Sequence, residues 1–238
     1  MPAALMHALG ILHFAIFVRV SADSWLRLPH PPFGAAEVRA PGPDPFRVFL
    51  VGRGSAISWG VLSHDLGLPG RLARTTSTFT SRGTDIHILA GPDITPRDIQ
   101  RALTPTVIAG YDAIVLCVGS REAAQLMPVS TWRRQLTAVL DQIEEDVEAN
   151  PAVIVVGAEE RMPVRLTPGF DRLATERARA LNEVSREVIA DRPHTMFVDS
   201  AMTPVAEGES LLDVEKAKLY DATAWAIAPS LAALLTAG

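Results

Sequence analysis

Residues 46–60 read FRVFLVGRGSAISWG, an apolar run that ends in a glycine-rich turn carrying Ser55. The run is continuous and rich in branched and aromatic residues, the pattern of a strand buried on both faces. Glycine directly after it permits the sharp exit that such a strand needs. In α/β proteins the loop past the C-terminal end of a strand is where ligands bind, so this turn carries the first functional question. Ser55 could be a nucleophile, the turn could cradle a phosphate, or it could be a turn and nothing more.

Four further apolar runs follow: Asp85–Leu89 (DIHIL), Ala113–Val118 (AIVLCV), Ala152–Val156 (AVIVV) and Met196–Val198 (MFV). Helix candidates lie between and after them, at Val61–Arg74, Pro96–Leu103, Ser130–Asn150, Pro168–Asp191 and Val214–Leu235. In the third, Trp132, Leu136, Val139, Leu140, Ile143 and Val147 recur at helical spacing behind Ser130, a candidate N-cap. Strict alternation of strand and helix predicts an α/β fold: a three-layer α/β/α arrangement around a five-stranded parallel sheet.

Upstream, residues 28–45 (LPHPPFGAAEVRAPGPDP) are dense in proline and glycine and read as a linker, which starts the folded domain, 46–238, near Phe46. Residues 1–27 hold an apolar run from Ala3 to Val18, interrupted only by His7 and His13. That run is at the short limit for a bilayer span of roughly 20 residues. Two readings stay open, a membrane anchor or membrane-surface helix through residues 3–18, and a helix packed on the domain or on a partner.

The chain has 238 residues, 22 of them Lys or Arg against 27 Asp or Glu, a net charge of −5. Arginine is scattered rather than clustered, so nucleic acid is excluded as a partner. Cys117 is the single cysteine, which rules out an intrachain disulfide and any cysteine-rich metal motif, and is compatible with the cytoplasm. Its place inside AIVLCV reads as a small buried hydrophobe.

Four loops follow the first four strands: GRGSAISWG, AGPDITP, GSREAAQL and GAEERMP. A dinucleotide site is disfavoured, because the third glycine of its motif falls on Ile57 and the expected acidic residue after the second strand is missing. A P-loop needs Gly-Lys-Ser/Thr, which is absent. Neither cofactor nor metal is therefore expected. The pair Glu159–Glu160 reads as a solvated loop, Tyr220 as a residue at the lip of the cleft and Trp225 as core.

Taken together, the loops resemble the blocks of the SGNH/GDSL hydrolases, flavodoxin-like α/β esterases and acyl hydrolases. Gly54 and Gly60 have the spacing of the two glycines of that family's first block, Gly91 corresponds to the glycine of the second, and Gly119-Ser120-Arg121-Glu122 to the third, Gly-x-Asn-Asp. DVEK, Asp213 to Lys216, ahead of the alanine-rich YDATAWAIAPSLAALL, corresponds to the final Asp-x-x-His block. The resemblance covers Phe46 to the C-terminus and implies an ester hydrolase whose serine is activated by a histidine, itself oriented by an aspartate.

The catalytic letters depart from that pattern. Aligned by Gly54 and Gly60, Ser55 falls on the family's aspartate and Ala56 on its serine; aligned from Gly52, Gly54 takes the serine's place. Lys216 stands where the histidine should be, and Arg121 where the asparagine should be. The resemblance thus implies a hydrolase that is impaired or inactive, because a serine hydroxyl is inert without an adjacent base. The alternatives are an active esterase using Ser55 with a non-standard base, and a membrane-associated ligand-binding or scaffold protein. In an active enzyme, Ser55 would be the nucleophile and Asp213 with Lys216 or His64 would serve as base. Gly54, Gly91, Gly119 and Arg121 would then contact the oxyanion or ligand. The ligand class is a small-molecule or lipid acyl ester.

Overall fold

The computed structural model describes residues 2–20, 32, 36–145, 150–160, 168–200 and 216–237. Its elements in chain order are α1 (Ala3–Val20), β1 (Glu37–Ala40), β2 (Phe46–Gly52), α2 (Leu68–Thr80), β3 (Thr84–Ala90), α3 (Pro96–Ala102) and the single turn α4 (Pro105–Ile108). They continue with β4 (Ala113–Cys117), α5 (Ser120–Ala124), α6 (Val129–Glu144), β5 (Ala152–Val156), α7 (Pro168–Ile189), β6 (Thr195–Val198) and α8 (Lys216–Ala237).

Local chemistry sets several of these boundaries. Thr95 caps α3 by accepting from the Asp98 amide while Asp98 answers the Thr95 amide, a capping box followed by Pro96 in the first turn. Thr104 caps α4 in the same way through the Val107 amide. α2 opens at Leu68 rather than Val61, because residues 61–67 make tight turns in which the His64 carbonyl accepts from the Gly67 and Gly70 amides. α6 starts at Val129 behind Pro128, so Ser130 lies inside the helix and not at its cap.

The sheet has six strands in the order β1-β3-β2-β4-β5-β6. All neighbours pair parallel except β1, which runs antiparallel along β3 with Val38 opposite Ile86. The five parallel strands are those expected; the sixth corrects the sheet from parallel to mixed. It comes from EVRA within the stretch read as a linker, where Val38 and Ala40 bury one face and Arg39 points outward. Four residues between proline- and glycine-rich flanks are too few to show that alternation from sequence.

The central strands β2, β4 and β5 feed both layers. Val48, Leu50, Val115, Cys117, Ile154 and Val156 join Leu68, Leu72, Ala224, Ile227 and Leu231 of α2 and α8 on one face. Phe49, Val51, Ile114, Leu116, Val153 and Val155 join Ile99, Trp132, Leu136, Leu140 and Leu181 of α3, α6 and α7 on the other. Full burial on both faces is why these strands read as continuous apolar runs. Tyr220 and Trp225 exchange their expected places: Tyr220 is 2% exposed and Trp225 56%. Five positions along a helix turn the chain well over one full turn, so the two cannot share a face.

α1 lies against the domain. Its Gly10 sits so close to α5 that a Cβ there would meet the Gln125 carbonyl oxygen at 2.4 Å. His7 Nδ1 is 2.8 Å from the same oxygen. Further along, the His13 ring stacks on Phe170 at 3.8 Å. Among the described residues no helix is long and apolar enough to cross a membrane. Through Gly10, His7 and His13, α1 packs on the domain.

Candidate functional site

β3 lies on one side of β2 and β4 on the other, so the chain reverses direction across the sheet between β2 and β4. Such a switch point opens a crevice past the strand ends. A small cleft sits there, lined by Arg53, Gly54 and Ser55 after β2, residues 117–122 after β4, Val156, Gly157 and Glu159 after β5, and Ser200 after β6. Its cavity volume is about 20 Å³, room for a water molecule or two.

The floor of the cleft is built by Gly52. Its φ is +137°, and a Cβ there would stand 2.0 Å from the Cys117 carbonyl oxygen. Glycine lets the β2 backbone press against β4, and the Arg53 amide then donates to that same oxygen at 2.9 Å. Beyond it, Gly54–Ile57 forms a single 3-10 turn that ends at Ser58, φ +61°. Ser55 and the buried Cys117 line the cleft together. Burial, reinforced by the negative charge of Glu159 and opposed by the neighbouring Ser55 hydroxyl, pushes the Cys117 thiol up to about 12. The sulfur therefore stays a neutral thiol at physiological pH and offers Ser55 no base.

Arg53 and Glu122 stand in the cleft wall, and sequence reasoning gave neither a role at the site. Arg53 Nη1 lies 3.3 Å from Glu122 Oε1, with the side chains only 11% and 5% exposed. Glu122 Oε2 accepts the Gly119 amide at 3.1 Å, tying the pair to the start of α5. Burial works against the Arg53 charge and lowers its pKa, while Glu122 acts in the opposite sense. The available signal was the presence of opposite charges in the loops that follow two adjacent strands.

Glu159 was read as solvated but lines the cleft, where its Oε1 would be 3.4 Å from a Cβ on Gly54. Its amide donates to Ser120 Oγ at 3.0 Å. One residue earlier, Asn182 clamps the loop by accepting from the Ala158 amide at 2.7 Å and donating to the Ala158 carbonyl at 3.1 Å. Glu160 does face outward, paired with Arg179 at 2.8 Å. Tyr220, held under the cleft by donating to the Trp59 carbonyl, has its pKa raised by burial and then by the charge of Glu159.

The candidate site residues divide accordingly. Ser55, Gly54, Gly119 and Arg121 come together at the cleft. Gly91 does not line it: its amide donates to the Gly52 carbonyl at 3.2 Å and extends the β3–β2 ladder. The Gly119 amide is likewise engaged, by Glu122. Arg121 spends its guanidinium on the Pro92 carbonyl at 3.1 Å and lies 5.9 Å from the centre of the Phe14 ring of α1. Asp213 lies outside the described residues. Lys216 opens α8, but its side chain is outside them too.

Among the described residues no histidine lines the cleft, and no group of three metal-binding side chains is assembled. His64 sits in the turns ahead of α2, with Nδ1 buried and without a hydrogen-bond partner among the described residues. Burial lowers its pKa, and Asp65 opposes this. A histidine of lowered pKa binds fewer protons folded than unfolded, so its contribution to stability is present above the ordinary value near 6.5 and is lost as pH falls toward the folded value. Thermal melts between pH 7.5 and 5 should therefore show a smaller acid-induced drop in Tm for His64→Gln than for the wild type.

No family model matches the chain, and no curated protein matches it in sequence. Solved structures do. A lipase, Lip_vut3, from a goat rumen metagenome superposes with a TM-score of 0.60 at 14% identity, over 78% of this chain and 97% of its own. An inhibitor-bound aryl esterase from M. smegmatis gives 0.59 at 13%, over 79% and 99%. A protein described as a lipolytic member of the G-D-S-L family, from Desulfitobacterium hafniense, gives 0.57 at 14%, over 77% and 98%. At these identities the likeness is one of fold. The three-layer architecture, the switch-point cleft and these neighbours together show that the chain has the SGNH hydrolase fold.

Proposed function

We propose that this protein is a catalytically impaired relative of the SGNH ester hydrolases, one that does not turn over acyl esters. The observation that carries this reading is the lining of the cleft, which holds Ser55 and, among the described residues, no histidine. Activation of a serine needs a base within hydrogen-bond reach, and a thiol held neutral by burial cannot serve. Gly54, two places past the strand-ending Gly52, supplies no side chain at all. A fold keeps its shape when its chemistry is lost, so the neighbours' hydrolytic activity does not transfer with the architecture.

The test is turnover of p-nitrophenyl acetate and butyrate by the purified full chain. Wild type and Ser55→Ala are expected to be equal and at the buffer-corrected background. Sustained turnover by the wild type would overturn the reading. If Ser55→Ala then removed that turnover by about 100-fold or more, Ser55 would be the nucleophile of an active enzyme.

A further inference from the structure

We propose that protonation of His64 opens the strap formed by residues 58–67 and thereby loosens the turn that carries Ser55. The strap joins that turn to α2 and covers the first amides of the helix. The His64 carbonyl accepts from the Gly67 and Gly70 amides, both at 3.1 Å. The Leu66 and Asp65 carbonyls accept from the guanidinium groups of Arg71 and Arg74 at 2.9 Å. At the other end Ser58 closes the Ser55 turn, its amide donating to the Ser55 carbonyl at 3.2 Å. The buried Ser58 side chain lies against Gly67, where a Cβ would stand 2.1 Å from Ser58 Oγ. Between the two ends, the Trp59 carbonyl accepts from Tyr220 of α8 at 2.7 Å. These ties are polar. Leu62 and Leu66 face solvent, and of the strap's aliphatic side chains only Val61 packs against the core. A segment with so few buried apolar contacts opens locally, at a free energy well below that of global unfolding.

His64 is the strap's single histidine, and so the one side chain there that ordinarily changes charge between pH 7.5 and 5. Its Nδ1 is buried without a hydrogen-bond partner among the described residues. The neutral ring fits that place, but a proton on Nδ1 would find no acceptor. The surroundings do not compensate. α2 carries no acidic residue and turns its N-terminal end, the positive end of the helix dipole, toward the strap. It brings Arg71 and Arg74, and Asp221 of α8 is already paired with Arg71. Asp65 is the one carboxylate acting on the ring among the described residues, and burial outweighs it. The closed strap therefore disfavours the charged ring, whereas the open strap lets water solvate it. Since opening is accompanied by proton uptake, acid shifts the balance toward the open form.

Hydrogen exchange of the full chain at pH 7.5 and pH 5, read by mass spectrometry and corrected for intrinsic rates, tests this without reference to turnover. Protection in peptides holding the Gly67 and Gly70 amides should fall several-fold at pH 5. The ceiling is about thirtyfold, the ratio of charged to neutral histidine at an ordinary pKa near 6.5. The Ala56 and Ser58 amides, which close the Ser55 turn on the Arg53 and Ser55 carbonyls, should lose protection with them. Peptides from β4 and β5 should not change. His64→Gln should hold the strap's protection constant over this range. Asp65→Asn should deepen the acid loss, because it removes the carboxylate that supports the charged ring. Asp65 is exposed, so this second variant should fold even where His64→Gln does not. Three results would overturn the proposal. The first is strap protection independent of pH in the wild type, and the second is the same acid loss in His64→Gln. The third is an equal loss in β4 and β5, which would make His64 a contributor to global stability alone.

Discussion

Gly52→Ala should cost the fold about 2–6 kcal/mol, the sum of ~1–3 for a strained backbone and ~1–3 for overpacking. The residue closes β2 at φ +137°, a region that alanine rarely adopts, and its missing side chain is the space occupied by the Cys117 carbonyl. A Cβ 2.0 Å from a backbone oxygen cannot be relieved by a rotamer change, so β2 and β4 would have to separate at the sheet's centre. Separation would break the Arg53 amide bond to the Cys117 carbonyl. Against a total stability of roughly 5–15 kcal/mol, that loss takes a large share. Urea unfolding reads it as a fall in midpoint at unchanged slope. Gly91→Ala is the control. Its φ lies outside the left-handed region and the nearest atoms to a new Cβ are Ile94 side-chain carbons at 3.6 and 3.7 Å, so its midpoint should stay close to wild type. Equal midpoints for the two variants would refute the account of the cleft floor.

The layers of this fold were legible because burial on both faces leaves a plain mark. Ala152–Val156 is apolar at every position, and its bounds in the sequence and in the structure coincide. Glycines at strand ends pointed to the cleft for the same reason, since only a sharp exit requires them there. The edge strand Glu37–Ala40 left no such mark, because one buried face over four residues amounts to only Val38 and Ala40. The site was harder still. Gly91 was taken for a ligand donor, although its amide is committed to the sheet, a choice made by backbone register and invisible in side-chain letters. Glu159 looked solvated beside Glu160, yet a loop clamped by Asn182 from 24 residues downstream turns the two carboxylates to different surroundings.

The buried pair Arg53–Glu122 should show the largest non-additivity in the molecule. Glu122→Ala leaves the Arg53 guanidinium, 11% exposed, without its counter-charge, and leaves the Gly119 amide without its acceptor. Removing one partner of a buried pair costs about 3–5 kcal/mol, because the survivor remains desolvated and uncompensated. Arg53→Met alone strands the carboxylate in the same way, though Glu122 keeps its bond from Gly119 and the loss should be the smaller of the two. Arg53→Met with Glu122→Leu removes both charges, and in a double-mutant cycle its stability loss should fall well below the sum of the single losses. Because Arg53 follows β2 and Glu122 follows β4, the pair spans the switch point of the sheet and holds the two cleft walls together. If the single losses instead add without coupling, the 3.3 Å contact contributes nothing, and the cleft is held by the Gly52–Cys117 backbone alone.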